Sequence, residues 1–110
     1  MTVSEHFEDL SARFDTAAAS GLTKTIQWDI TGAEHGVWAF EIVDGVGRLI
    51  PGGVEKPDTV LTTSDETWIA VAEGRQDPMK AFMTGKLKVT GDMTFALRTI
   101  ELFKLAGPTP

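Results

Sequence analysis

The sequence predicts an α+β fold with five strands and about four to five helices, and this prediction rests on three observations. Apolar and polar side chains alternate with a period of two over residues 24–43, which is typical of strands with one solvated face. Segments near both ends instead place apolar residues at helical spacing. Glycine, proline and capping residues separate these segments at short intervals, as tight connections between elements require.

The first helix is indicated by Thr2 and Glu5, which have the spacing of a capping box. Phe7, Leu10 and Phe14 follow at helical intervals and give the segment one apolar face. Since glycine commonly follows the last turn of a helix, this helix is expected to continue to Gly21.

Strands are predicted from alternation and from turn residues. Residues 24–43 are expected to form an antiparallel hairpin around the turn at residues 32–36. Asp44 and Gly45 predict a second tight turn. Further strands are predicted at residues 46–50 and 59–63 and around Leu87 and Val89.

Three more helices follow from capping signals. The first begins near Ser64 or Asp65 and ends at Gly74, and the second begins at Asp77 and Pro78 and ends at Gly85. The last helix is predicted from Met93 to Leu105, capped by Asp92 and stopped before Pro108 and Pro110.

The last helix has apolar residues on more than one face. Met93, Leu97, Ile100 and Phe103 or Lys104 form one stripe, and Phe95, Leu102 and Leu105 form a second. Packing on a sheet requires only one apolar face. The second stripe must therefore be covered by the N-terminal helix, by a partner subunit or by a bound apolar molecule.

Composition limits the classes of function. The 110 residues predict one domain spanning 1–110, and the net charge of −6 argues against nucleic acid as a partner. The absence of cysteine excludes disulfides and thiolate chemistry. No apolar run is long enough to span a bilayer and no signal peptide is recognisable, so a cytoplasmic location is expected. Lys80, Lys86 and Lys88 leave transient membrane contact open, and the oligomeric state is not predicted.

No catalytic constellation is recognisable in the sequence. His6 and His35 are expected on the solvated surface, and no nucleophile elbow, zinc-binding helix motif, phosphate loop or dinucleotide fingerprint occurs. Asp65, Asp77 and Asp92 stand where helices begin, so capping explains them without catalysis. The sequence thus predicts a protein that is not an enzyme, with no catalytic residue, no metal site and no cofactor.

A set of residues in a fixed order resembles the sterol-carrier-protein-2-like, or non-specific lipid-transfer, domain family, in the form of a stand-alone bacterial-type member. The set consists of Trp38, Asp44-Gly45, Pro57-Asp58, Ser64-Asp65, Gly74, Asp77-Pro78, Ala81-Phe82-Met83, Gly85-Lys86-Leu87-Lys88-Val89 and Gly91-Asp92. The resemblance implies a five-stranded, mainly antiparallel sheet covered by helices. It also implies an apolar tunnel between the sheet and the C-terminal helix that takes lipids without catalysis.

Two positions depart from the pattern of this family. Eukaryotic relatives often end in a peroxisomal address, whereas this sequence ends with residues 107–110, Gly-Pro-Thr-Pro, so no peroxisomal role is implied. Relatives commonly carry Gln before the glycine that opens the fifth strand, and Thr84 stands there instead. Because this position lies near the tunnel mouth in the family, head-group preference is left open.

The apolar residues around this motif are the candidate lipid-binding residues. Such residues more often fill a core than line a site, but pliable methionines suit a site that accepts ligands of several shapes. The resemblance therefore favours a lining made of Trp28, Trp38, Phe40, Leu61, Met79, Phe82, Met83, Thr84, Met93, Phe95, Leu97, Ile100 and Phe103. Trp68 is expected to be either part of this set or a core anchor behind the helix pair.

The resulting functional hypothesis is non-catalytic, intracellular binding and transfer of apolar lipids: fatty acyl chains, sterol-like or polyprenyl molecules. Burial alone can drive such binding, because each methylene removed from water contributes about 0.8 kcal/mol. The alternative is a protein-interaction module or accessory domain that docks on a partner enzyme through its apolar helix.

Overall fold

The computed structural model describes residues 1–105, in which four consecutive strands follow the first helix. The elements are α1 (Val3–Arg13), β1 (Lys24–Thr31), β2 (Gly36–Val43), β3 (Val46–Pro51), β4 (Thr59–Ser64), α2 (Asp65–Ala72), α3 (Pro78–Met83), β5 (Leu87–Gly91) and α4 (Met93–Leu102). The five strands and four helices of these residues confirm the predicted α+β class. Within the same residues, no helix is both long enough and apolar enough to cross a bilayer.

The strands form one sheet in the order β3-β2-β1-β4-β5. Three neighbouring pairs are antiparallel, and β1 pairs with β4 in parallel, so the sheet is mainly antiparallel as expected. Trp28 lies opposite Trp38 on one side and Leu61 on the other, and Leu61 lies opposite Val89. These four side chains therefore form one row across the face of the sheet that the helices cover.

The alternation along the strands decides which face is buried. In β1, Ile26, Trp28 and Ile30 are buried, whereas Gln27 and Asp29 are partly exposed. The buried side chains join a single apolar core with residues of all four helices within residues 1–105. The space between this face and the helices is thus where any internal site must lie.

Side-chain caps begin all four helices, as the sequence predicts. In α1, the Thr2 hydroxyl accepts a hydrogen bond from the Glu5 N–H, and the Glu5 carboxylate accepts one from the Thr2 N–H. The side chains of Ser64, Asp77 and Asp92 each accept a hydrogen bond from a backbone N–H at the start of α2, α3 and α4. Asp65 is not the cap of α2 but its first residue, and its carboxylate accepts a hydrogen bond from the Glu34 N–H. These caps satisfy backbone N–H groups that have no partner inside a helix.

Helix α1 ends at Arg13, so the prediction that it continues to Gly21 is wrong. The backbone of Phe14 leaves the helical region, with φ −58° and ψ 125°. Its ring instead packs against Phe40 and Phe103, with ring centroids 4.8 Å and 5.4 Å away. Burial of this ring against two distant aromatic residues outweighs the local preference for another helical turn.

Helix α4 also ends earlier than expected, at Leu102 rather than Leu105. Phe103 and Leu105 are nevertheless buried in the core. Gly107, Pro108 and Pro110, which the sequence analysis placed after this helix, lie outside the described residues.

An aromatic cluster fills the core above β1 and β2. The Phe7 ring of α1 stacks on Trp38 and Trp68, with ring centroids 4.6 Å and 5.2 Å away. Trp28 contacts Phe7, Trp68 and Phe103, with centroids 5.2 Å, 5.7 Å and 5.9 Å away. Because such rings bury large areas, this cluster joins α1, α2 and the end of α4 to the sheet.

His6 is buried rather than solvated, so the prediction for this residue is wrong. Only 4% of the residue is exposed, and its Nε2 atom lies 3.3 Å from the Glu73 carboxylate. The position on the helix explains this, since His6 precedes Phe7 on the inward side of α1. His35 is exposed, as predicted.

Gly47 is expected to be intolerant of any side chain, because a Cβ atom there would collide with the rings of Phe40 and Phe14. We predict that Gly47→Ala lowers the free energy of unfolding by about 1–3 kcal/mol, the usual cost of overpacking a core. Chemical denaturation measures this change. The control is Val46→Ala at the exposed neighbouring position, with an expected effect within about 0.5 kcal/mol. Equal stability of the two variants would contradict this packing.

Candidate functional site

An apolar cavity lies over β4 and β5, beneath α2, α3 and α4. Its lining consists of Leu61, Trp68, Val71, Pro78, Met79, Phe82, Leu87, Val89, Met93, Ala96, Leu97, Thr99, Ile100 and Leu105. The centre of a water-sized sphere can occupy about 40 Å³ of it, and the empty space out to its mouth in open solvent is about 440 Å³. The cavity is therefore narrow inside and open at one end.

The lining changes in exposure from the floor to the mouth. At the floor, Trp68 and Val71 are each 1% exposed. At the mouth, Met79, Met93 and Leu97 are 37%, 40% and 45% exposed. Two of the three rim residues are methionines, whose unbranched side chains change shape at little energetic cost.

The two stripes of α4 explain how its sequence builds this wall. Phe95 and Leu102 of the second stripe are buried in the core of the protein itself, so neither a partner subunit nor a bound molecule is needed to cover them. Met93, Leu97 and Ile100 of the first stripe line the cavity. The helix thus packs on the core with one stripe and leaves the other at the cavity.

The cavity contains few polar groups. The Thr99 hydroxyl donates a hydrogen bond to the Ala96 carbonyl, with an O···O distance of 2.6 Å. The indole Nε1 of Trp68 has no hydrogen-bond acceptor among residues 1–105. None of the lining residues in this part of the chain carries a charge.

The space is large enough for water but poor in partners for it. A buried water needs about 10–15 Å³ and two to four hydrogen bonds, and this lining offers mainly carbon. We therefore expect the cavity to be dry when no ligand is bound. At about 24 cal/mol per Å³ of void, an empty space of this size costs about 1 kcal/mol of stability.

An ion pair fixes the start of α4 at the edge of the cavity. The Lys24 ammonium lies 2.6 Å from the Asp92 carboxylate, which also accepts a hydrogen bond from the Phe95 N–H. The hydrogen bond from Lys24 and the one from Phe95 hold the pKa of Asp92 below its ordinary value of 3.8. The same carboxylate raises the pKa of Lys24 above 10.5.

The structure brings six of the candidate lipid-binding residues together in the lining: Leu61, Met79, Phe82, Met93, Leu97 and Ile100. It places the other candidates elsewhere. Trp28, Phe40, Phe95 and Phe103 are buried in the core outside the lining, Trp38 borders a separate shallow depression near His35, and Met83 and Thr84 are exposed at the end of α3.

Local roles account for several of these placements. Trp28, Phe40 and Phe103 belong to the aromatic cluster. The Thr84 hydroxyl donates a hydrogen bond to the Lys80 carbonyl, with an O···O distance of 2.8 Å, at the C-terminal end of α3. Thr84, which departs from the family pattern, therefore satisfies a backbone carbonyl at the end of α3.

Seven lining residues are absent from the candidate set: Val71, Pro78, Leu87, Val89, Ala96, Thr99 and Leu105. Leu87 and Val89 alternate with lysine and threonine along β5. This period of two indicates that both apolar side chains face the helices, so the sequence contained the information needed to predict them. Ala96 and Thr99 lie on the same helix face as the predicted Ile100, but small and polar residues give no hydrophobic signal. The sequence left open whether Trp68 is a core residue or a lining residue. In the structure it is both.

No cluster of three or more histidine, aspartate or glutamate side chains suited to hold a metal ion occurs within the described range, residues 1–105. The described lining consists of apolar side chains and Thr99, whose hydroxyl already donates to the Ala96 carbonyl. This arrangement can hold an apolar molecule.

Comparisons with known proteins identify a matching family and a related human protein. The family model described as the SCP-2 sterol transfer family matches residues 5–104. Human sterol carrier protein 2 is 33% identical over 74 residues, which are 67% of this chain and 14% of that protein.

Two solved structures are similar in fold. Palmitated SCP2L2 from Aedes aegypti has a TM-score of 0.78 at 20% identity, covering 99% of this chain and 100% of that chain. The stereoselective inverting sec-alkylsulfatase Pisa1 from Pseudomonas sp. has a TM-score of 0.71 at 24% identity, covering 92% of this chain and 16% of that chain. The chain thus spans only a small part of the human protein and of the sulfatase.

Acidification is predicted to weaken the attachment of α4. Since the pKa of Asp92 is lowered in the folded state, its stabilisation is complete above the ordinary value of 3.8 and is lost as the pH falls through the lower folded value. Asp92→Asn keeps an oxygen acceptor for the Phe95 N–H but removes the charge. Urea denaturation of both proteins between about pH 5 and pH 2 should show a shallower loss of stability for the variant. Parallel pH profiles would contradict the role of this ion pair.

Proposed function

The chain belongs to the SCP-2 sterol transfer family, and on that premise we propose that it binds and transfers apolar lipids in its cavity without catalysis. Fatty acyl chains, sterol-like and polyprenyl molecules are the proposed ligands, and the cytoplasm is the proposed location. The observation that carries the proposal is an apolar cavity with two methionines at its rim.

A lipid requires more room than the cavity now provides. Sites for small organic ligands usually measure about 300–1,000 Å³, whereas the interior admits a water-sized centre over about 40 Å³. The proposed ligand site therefore opens by displacement of the rim side chains and of α3. Gly74 and Gly85 lie on the two sides of α3, both have a positive φ, and a Cβ atom at either position would meet no atom within 4 Å, so we propose that the chain bends at these two glycines.

Burial of an acyl chain provides the driving force. About ten buried methylenes contribute roughly 8 kcal/mol, and filling the void removes its cost of about 1 kcal/mol. The loss of translational freedom opposes binding, so most of the chain has to leave water for the affinity to be useful. The open mouth allows an ionised head group to remain in solvent while the chain is buried.

The alternative is an accessory domain that docks on a partner enzyme through its apolar helix. The small shares of the human protein and of the sulfatase that this chain matches support a role inside larger proteins. Packing opposes the docking mode, because the second stripe of α4 is already buried and mainly Met93 and Leu97 remain exposed on that helix. Lipid binding therefore accounts better for the exposed apolar residues.

Delivery is proposed to occur by contact of the cavity mouth with a membrane. Met83 is 77% exposed one turn after Met79, so it extends the apolar rim outward. Lys80 lies between them on α3 and is exposed without an ion pair among residues 1–105. Lys88 alternates with the lining residue Val89 along β5, so it lies on the opposite face of that strand from the cavity.

The first test replaces a rim residue without adding a charge. Leu97→Gln should weaken palmitate binding about tenfold, because a polar side chain at the mouth forfeits apolar contact with the acyl chain. Titration calorimetry measures the affinity, and ligand should also raise the melting temperature of the wild-type protein by mass action.

The matched control for this test is Val43→Gln. Val43 is 52% exposed, comparable to the 45% of Leu97, but it lies at the end of β2 outside the lining. The control should bind palmitate as the wild type does. If both variants bind equally well, the cavity is not the lipid site, and if neither they nor the wild type bind palmitate or a sterol, the proposed function is wrong.

The second test separates delivery from binding. Met83→Glu should slow lipid transfer between anionic vesicles about tenfold while leaving the affinity for dissolved n-decanol, an uncharged ligand, unchanged, because Met83 lies outside the lining. Val46→Glu adds the same charge at a position that is 70% exposed, on the strand at the opposite edge of the sheet. Equal transfer rates for the two variants would show that the mouth does not contact the membrane.

A further inference from the structure

A buried histidine connects α1 to the joint between α2 and α3. His6 is only 4% exposed, and its Nε2 atom lies 3.3 Å from Oε2 of Glu73. Neither ring nitrogen makes an aligned hydrogen bond among residues 1–105. Glu73 follows the last residue of α2, and Gly74, one of the two proposed bending points, follows Glu73. The contact therefore lies directly beside the segment at which α3 is proposed to move.

The α2 side of this contact carries a fixed negative charge. Arg75 donates two hydrogen bonds to Oε1 of Glu73, with N···O distances of 3.0 Å and 2.7 Å, so Oε2 is the oxygen that faces His6. The hydrogen bond from Arg75, and to a smaller extent the contact with His6, hold the pKa of the Glu73 carboxyl below its ordinary value of 4.5. The carboxylate therefore stays ionised over the range in which a histidine gains its proton.

The other charged groups near this contact have partners of their own. On α1, Glu5 accepts a hydrogen bond from the backbone N–H of the helix cap, and Asp9 pairs with Arg13, which also donates to the carbonyl of the last residue of α2. On β3, which α1 also contacts, Arg48 pairs with a glutamate of β2. Of the acidic residues in the range 1–105, only the one at the end of α2 forms an ion-pair contact with His6.

Packing holds the histidine in place when the joint moves. The next residue, Phe7, is 0% exposed and stacks between Trp38 and Trp68, so α1 stays attached to the core. A bend at Gly74 would therefore take the carboxylate away while the imidazole stays buried. This separation leaves a neutral imidazole almost unaffected, whereas a buried imidazolium without its counter-ion is costly.

We propose that His6 and Glu73 form a pH-sensitive latch, which opposes displacement of α3 when His6 is protonated and permits it when His6 is neutral. The effect of the latch on ligand exchange rests on the proposed function, but the latch itself is a property of the ligand-free chain. Because histidine changes its charge between about pH 5 and pH 8, the stabilisation of the closed cavity is complete at the acidic end of this range. It is lost as the pH rises.

The first test measures amide hydrogen exchange of the ligand-free protein at about pH 5.5 and pH 7.5, on the two sides of this change in charge. Protection factors correct for the intrinsic pH dependence of exchange. The Ala81 and Thr84 N–H groups of the α3 segment report its displacement, and those of β1 report global unfolding. Relative to β1, the α3 protection should be about threefold higher at the acidic pH, the size expected of an ion pair with one partly exposed member.

Three variants assign the response. Glu73→Gln removes the charge that faces His6 at a side chain that is 38% exposed, and it should make the α3 protection equal at both pH values. Arg75→Gln removes the other partner of Glu73, and His35→Gln removes the other histidine of the chain, so both should respond as the wild type does. The inference is wrong if the wild type shows no rise at the acidic pH, or if the rise survives in Glu73→Gln.

The second test uses n-decanol, which has no ionisable group in this pH range. Its dissociation from the wild-type protein should be about threefold slower at the acidic pH, and the difference should vanish in Glu73→Gln. If exchange responds to pH but the dissociation rate does not, the latch does not control ligand exchange and that part of the inference is wrong. If neither n-decanol nor palmitate binds at either pH, the proposed function fails, and the exchange measurements still decide whether the latch exists.

Discussion

The architecture depends on how one aromatic cluster divides the space between the sheet and the helices. Phe7 stacks between Trp38 and Trp68, and Trp28 joins this group to Phe103 at the end of α4. These rings occupy the volume over β1 and β2 and connect α1 firmly to the sheet. The space over β4 and β5 is bordered by Trp68 and Phe82 together with aliphatic residues and methionines, which do not fill it. The cavity is the direct consequence of this division.

The same division lets one helix serve stability and, in the proposed function, binding. The stripe of α4 that contains Phe95 and Leu102 is buried in the core, and the stripe that contains Met93 and Leu97 borders the cavity. The ion pair between Lys24 and Asp92 fixes the helix start to the first strand. A ligand can therefore displace the rim while the buried stripe holds the helix in place. The empty space costs only about 1 kcal/mol of stability.

The sequence was sufficient for the elements but only partly for the site. Alternation and caps identified every strand and helix start because these signals are local. The predicted end of α1 was wrong because the chain leaves the helix at Phe14, whose ring packs against rings that are distant in sequence. The prediction that His6 is exposed was wrong for a similar reason, because the burial of a helix face depends on the elements that pack against it. Residues such as Phe40 and Leu97 are equally apolar in sequence, and only the packing of the helices decides which one lines the cavity.

The central claim is that an acyl chain occupies the space beneath α4 rather than any other part of the surface. Methyl-labelled protein, saturated with palmitate, tests it by nuclear Overhauser effects between the chain and individual side chains. The account predicts contacts from the acyl methylenes to the methyl groups of Leu61, Val71 and Ile100, all of which line the cavity. Saturating palmitate with no contact to these methyl groups, or with contacts confined to exposed positions such as Val46, would contradict it.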